Sequence, residues 1–170
     1  MPVVVAVTLL TACGTTPLVL TAADPRTDFS QYKSLVVETT AQGSSVSSSA
    51  QTRIKDLVKA EILECCAQRF ERGTAEPNDL LLKVKFTVYE EGNRFARLML
   101  AGLGSMQIHA QVEIVDTKSG NLLTSGEAGK TFAWGGVYGA SIGIEDLEKD
   151  FAKEVVKGLR ETLRLDGPTT

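Results

Sequence analysis

A chain of 170 residues, 43% of them hydrophobic and 23% charged, is long enough to bury one core and too short for several domains. Its 18 basic and 21 acidic residues leave a formal charge of −3, and neither sign gathers into a block, so the electrostatic footprint of nucleic-acid binding is missing. With one histidine and three cysteines, a metal centre is disfavoured and no cofactor is implied.

The chain opens on an apolar run relieved only by threonine, residues 2–12. It is too short to span a bilayer, which takes about 20 residues, but suits the apolar region of a secretory signal. The run ends in Leu10-Thr11-Ala12-Cys13, which resembles the bacterial lipobox. There, small residues admit the peptidase and the cysteine thiol forms a thioether, so that the acylated cysteine becomes the new N-terminus. No basic residue precedes the run, since the first is Arg26. The competing reading is a buried N-terminal strand ending in a small core cysteine. On the lipobox reading, residues 1–13 are a lipoprotein signal and Cys13 carries the lipid. Gly14 in place of Asp then implies, by likeness to enterobacterial sorting, the periplasmic face of the outer membrane. Two acyl chains give a stable anchor where one is marginal.

Residues 14–28, rich in Thr, Pro, Ala and Asp with no period that buries a face, read as a tether. Residues 29–165 read as one α/β domain and 166–170 as a tail. Ser34-Leu35-Val36-Val37-Glu38 is the first strand. From residue 49 to 70, Ile54, Leu57, Val58, Ile62, Cys65, Cys66 and Phe70 recur at three- and four-residue steps, which predicts an amphipathic helix ended by Gly73 and Pro77. Cys65 and Cys66, adjacent within that helix, are expected as two reduced thiols in small apolar sites.

Residues 80–89 alternate, with Leu80, Leu82, Val84, Phe86 and Val88 on one face and Leu81, Lys83, Lys85, Thr87 and Tyr89 on the other. Residues 106–115 repeat this, with Ile108, Ala110, Val112 and Ile114 inward and His109 outward, where no carboxylate or nucleophile is paired with it by spacing. Asp116-Thr117-Lys118-Ser119-Gly120-Asn121 is a hairpin turn, and residues 122–133 are the returning strand. Within it, Gly126-Glu127-Ala128-Gly129-Lys130-Thr131 ends like a phosphate-binding loop, but Thr124 stands where that motif needs glycine and no helix follows. A last helix over 144–163 carries Leu147, Phe151, Val155, Leu159 and Leu163 at four-residue steps. Glu145, Asp146, Glu148 and Asp150 read as its solvated, dipole-complementing start. The order β-α-β-β-β-α predicts an α+β fold: one four-stranded mixed sheet with two helices packed on one face.

At Tyr32-Lys33-Ser34-Leu35-Val36-Val37-Glu38, Val88-Tyr89-Glu90-Glu91-Gly92-Asn93-Arg94 and Val112-Glu113-Ile114-Val115-Asp116-Thr117-Lys118-Ser119-Gly120-Asn121-Leu122-Leu123, the chain resembles a family of bacterial lipoproteins of unknown function. More distantly it is similar to small α/β domains of envelope assembly proteins. The resemblance implies the cell envelope and supplies no catalytic residues.

A crossover followed by two hairpins makes the first two strands parallel and brings the connections 39–49, 92–105 and 134–143 to one end of the sheet, where both helices also begin. That end carries Arg94, Arg97, Leu98, Met99, Leu100, Gly102, Gly104, Trp134, Gly135, Gly136 and Tyr138, with Phe95 and Leu103 beside them. The functional reading is a face that docks an anionic group or an envelope protein. The plain one is long connections whose glycines meet backbone needs. The expectation is a non-enzymatic, lipid-anchored module. The alternatives are an envelope enzyme acting on glycan or lipid through Arg94 and Arg97, and homo-oligomerisation through an exposed sheet edge.

Overall fold

The computed structural model describes residues 14–22, 24, 26–67, 70, 79–99 and 103–164. Its centre is an antiparallel meander of β4 (Leu80–Glu90), β5 (Met106–Asp116) and β6 (Leu122–Phe132), with β3 (Leu35–Ala41) parallel to β4. Alternation along these strands aligns apolar side chains across the ladder, so that Leu82 faces Ile114 and Val84 faces Val112, all fully buried. Onto this face pack α1 (Ser48–Cys66) and α4 (Ile144–Leu163), which also lie against each other. The Ser47 hydroxyl caps α1 by accepting from the Ala50 N–H at 3.2 Å, and Ala50, Ile54, Val58, Ile62 and Cys66 form its buried stripe. Leu147, Phe151, Val155, Leu159 and Leu163 form that of α4.

The class is α+β, but the sheet has six strands, not four, and the helices number four among the described residues. The two added strands come from the segment expected as a tether. β1 (Thr15–Thr16) and β2 (Thr21–Ala22) pair antiparallel with β6, giving the order β1-β6-β5-β4-β3 with β2 beside β1 on β6. Between them Leu18 enters the core, resting on α4 at Gly158, where a Cβ would lie only 2.7 Å from the Leu18 Cβ. Two-residue ladders held by backbone hydrogen bonds and one plug residue leave no periodicity for a sequence pattern to register. The added helices, α2 (Arg94–Met99) and α3 (Gly136–Ser141), arise in connections whose glycines lower helix propensity.

Two further expectations change. Phe86 pairs with Ala110 but Val88 with His109, so Thr87 is bulged out of β4. The extra residue reverses the pleat, and Tyr89 rather than Val88 becomes buried. Cys65 and Cys66 are not two thiols but a vicinal disulfide, in the last turn of α1. The two Cα atoms are 3.8 Å apart, as across any trans peptide. Cys13, Gly73 and Pro77 lie outside the described residues.

Candidate functional site

Three connections meet at the end of the sheet where β4 and β6 finish. After β3, the Gln42 N–H donates to Phe86 O at 2.8 Å and the Ser45 hydroxyl to Tyr89 O at 3.1 Å, which ties this loop to β4. After β4, Gly92 takes a positive φ of 66°, and a Cβ there would stand 2.7 Å from an Arg97 nitrogen and 2.5 Å from Ser105 O. The Asn93 side chain then accepts from the Ala96 N–H at 3.0 Å and starts α2. After β6, α3 packs against α2.

Arg97 holds the two short helices together. It is 1% exposed and donates from Nη1 to Gly104 O at 2.7 Å, from Nε to Gly139 O at 3.0 Å and from Nη2 to Ile142 O at 3.2 Å. Burial, and then the neighbouring Arg94, hold its guanidinium below the usual arginine range. The sequence places Arg97 on a docking surface, whereas the structure turns it inward onto three carbonyls. Arg94 stays exposed at the rim, its Nη2 3.1 Å from where a Gly143 Cβ would stand.

With the arginine inside, the apolar side chains of α2 and α3 point outward. Phe95 is 70% exposed, Trp134 53% and Val137 80%, and Leu98, Met99, Leu103 and Tyr138 are exposed beside them. The Tyr138 ring lies 6.1 Å from that of Trp134 and 6.4 Å from that of Phe132, which sets the aromatic part of the cluster on the end of β6. Gly104 and Gly136 take positive φ values of 72° and 74°, and Gly135 is the residue before α3. Leu100 and Gly102 lie outside the described residues. Val137, the most exposed of the group, escapes a sequence reading because it stands between Gly136 and Tyr138 in a run too short to show a period.

Beneath this end is a polar cluster that the sequence hides. Glu148, expected in the solvated start of α4, is 1% exposed. Arg53 Nη2 donates to its Oε1 at 2.8 Å and Arg53 Nε to its Oε2 at 3.0 Å, while Tyr89 Oη donates to Oε1 at 2.8 Å. Burial, then the bond to Glu148, push the Tyr89 phenol well above its ordinary range, and the bond to Glu148 pushes Arg53 up. The signal was present: Glu148 adjoins Leu147 and lies four residues before Ala152, on the apolar stripe. His109 lies on the face of the sheet opposite α1 and α4, over Gly129, beside a shallow cleft of about 360 Å³ that Gln107 and Glu127 also line. Among the described residues no group of three or more His, Cys, Asp or Glu side chains is placed to hold a metal ion.

These features define a small α+β domain in which a mixed sheet is backed on one face by two long helices, with two short helices closing one end. The chain belongs to the family described as Domain of unknown function (DUF4410), whose profile matches residues 28–136, from the turn before β3 to the start of α3. No curated protein matches the sequence. Among solved structures, the chain is similar in fold to a Xanthomonas campestris protein of the family DUF330, at 12% identity and a TM-score of 0.51, covering 91% of this chain and 98% of that one. A PelC dodecamer from Paraburkholderia phytofirmans matches at 12% identity and 0.49, covering 84% and 95%. A minor lipoprotein from Acinetobacter baumannii matches at 13% and 0.45, covering 77% and 94%.

Proposed function

We infer that this protein is a lipid-anchored module of the bacterial envelope, held at the periplasmic face of the outer membrane, which carries out no chemistry of its own and contacts another envelope component through the α2–α3 end. The observation that carries the reading is the set of outward-facing apolar side chains on α2 and α3 and in the connection before α3, Phe95, Met99, Trp134, Val137 and Tyr138 among them, with Arg97 tying the two short helices together from behind. A surface of this kind on a folded domain marks contact with something apolar. Leu10-Thr11-Ala12-Cys13 supports the anchor, and membership of a family without an assigned function leaves the contact as the chief clue.

Two measurements test it. Mass spectrometry of the mature N-terminus is expected to find Cys13 diacylated, and an intact, unmodified Met1 removes the anchor. A photo-activatable side chain placed at Tyr138 in cells is expected to form adducts with lipid or with an envelope protein, whereas one placed at Leu122, at the other end of β6, is not. Absence of adducts at Tyr138 removes the contact surface.

A further inference from the structure

The segment expected to separate the anchor from the domain instead brings the two together. Gly14 O accepts from the Thr131 N–H at 2.9 Å, and Thr15 and Thr16 pair with Lys130 and Gly129. Cys13 is therefore a single Cα step, about 3.8 Å, from a residue already fixed on β6. A free tether over residues 14–28 would let the domain stand off a membrane by up to roughly 50 Å. Edge pairing removes that freedom. Beyond Thr131, β6 runs through Phe132 directly into Trp134, Val137 and Tyr138, so Gly14, the residue bonded to the acylation position, and the apolar cluster share one end of the sheet.

We propose that the α2–α3 end is a membrane-seating face: Phe95, Met99, Leu103, Trp134, Val137 and Tyr138 enter the interfacial layer of the same leaflet that holds the acyl chains on Cys13. The proposal rests on the reading of Cys13 as the lipidated residue and of this end as the contact surface, and it names the lipid bilayer as what is contacted. The chemistry fits that depth. Trp134 and Tyr138 pair an apolar body with a polar tip, as side chains at the headgroup level do, and the aliphatic members reach the acyl boundary. Arg94, exposed at the rim, can keep its charge among headgroup phosphates while its stem lies along the apolar surface. Among the described residues no helix is long and apolar enough to cross a membrane, so the face lies on the bilayer and does not span it. A protein partner or a second copy could cover the apolar side chains, but neither explains why the chain delivers its acylation position to the same edge. Once the acyl chains are inserted, seating is an intramolecular step and needs little affinity of its own.

Trp134 is the only tryptophan of the chain, so its fluorescence reads the proposal without any substitution. The full lipidated protein is reconstituted into vesicles of phosphatidylethanolamine with a minority of phosphatidylglycerol, some lipids carrying a doxyl quencher near the glycerol. Trp134 emission is expected to shift to the blue and to lose more than half its intensity to the quencher. A Trp134→Phe, Leu122→Trp variant places the reporter about 34 Å away along β6 and is expected to stay water-exposed and unquenched. Water-like Trp134 on a protein whose Cys13 is acylated overturns the seating while the anchored-module reading stands. A blue shift that ignores the quencher overturns it too, in favour of a second copy if it fades on dilution, or of a protein partner if it requires crude envelope. A Cys13 without acyl chains overturns the reading and the seating together.

Discussion

Tyr89 Oη donates a 2.8 Å hydrogen bond to Glu148 Oε1, joining the end of β4 to the second turn of α4, and Arg53 of α1 completes the cluster from the other side. The pair exists because the bulge at Thr87 turns Tyr89 inward. A buried carboxylate that loses a partner retains its desolvation cost. Tyr89→Phe, which leaves Glu148 both Arg53 bonds, is expected to cost about 1–2 kcal/mol in urea unfolding. Arg53→Met is expected to cost about 2 kcal/mol, below the usual range for a buried pair because the Arg53 side chain is 43% exposed and water shares the load. A double-mutant cycle should return a coupling above about 0.5 kcal/mol, and additive losses would mean that the two bonds are independent.

The same cluster sets an alkaline limit. Tyr89 and Arg53 both have folded pKa values raised above their ordinary ones. A raised pKa means that the fold prefers the protonated group, so its contribution is complete below the ordinary value, 10.0 for the tyrosine, and declines as pH rises above it. Stability from this source is therefore expected to be level through neutral pH and to fall from about pH 10. Tyr89→Phe should lower the plateau and flatten the fall. Thermal melts across pH 8 to about 11 check this, and an unchanged slope in the variant would assign the alkaline loss elsewhere.

Strands whose inner face is buried were legible because alternation in β4 and β5 is a direct consequence of one covered face, and α1 and α4 were legible by the same reasoning at helical period. What the sequence hid depended on single residues. The bulge at Thr87 reverses the facing of Tyr89 without altering composition, so a strict period-two reading puts the tyrosine in water. β1 and β2 are held by backbone groups, which every residue carries, and only Leu18 betrays them. At the candidate site, the crossover-and-hairpin order was enough to bring three connections to one end. It could not separate Arg97, folded inward onto Gly104, Gly139 and Ile142, from Arg94, three residues earlier and exposed.

Arg97→Met is expected to loosen the α2–α3 end more than the rest of the domain. The substitution removes the guanidinium donors from the carbonyls of Gly104, Gly139 and Ile142, of which Gly104 O keeps the Asn93 N–H, at a cost of about 1–3 kcal/mol for each carbonyl left dry and unpaired. Since no strand depends on these bonds, the loss should appear as local opening. Amide exchange at α2 and α3 is expected to quicken roughly a hundredfold, about 3 kcal/mol, while β5 amides keep their protection. Arg97→Lys should fall near Arg97→Met, because one ammonium cannot reproduce a planar fork that meets three acceptors. Equal quickening throughout the domain would mean that Arg97 supports the global fold and not this end.

Leu18 decides whether the N-terminal segment belongs to the sheet in solution. It is buried against α4, where Gly158 has no side chain to hinder it, and β1 and β2 flank it on β6. Leu18→Ala should cost about 2–3 kcal/mol, the range for a buried leucine truncated to alanine at a site that can partly collapse. Gly158→Leu acts from the other side: its side chain claims the volume Leu18 fills, while leucine at a helical position gains propensity over glycine. The two variants therefore separate detachment from general instability. In both, limited proteolysis is expected to cut within residues 15–22 while the remainder of the domain resists. A segment that is protease-sensitive in the unsubstituted protein would instead behave as a tether, and the short spacing between Cys13 and the apolar end would no longer hold.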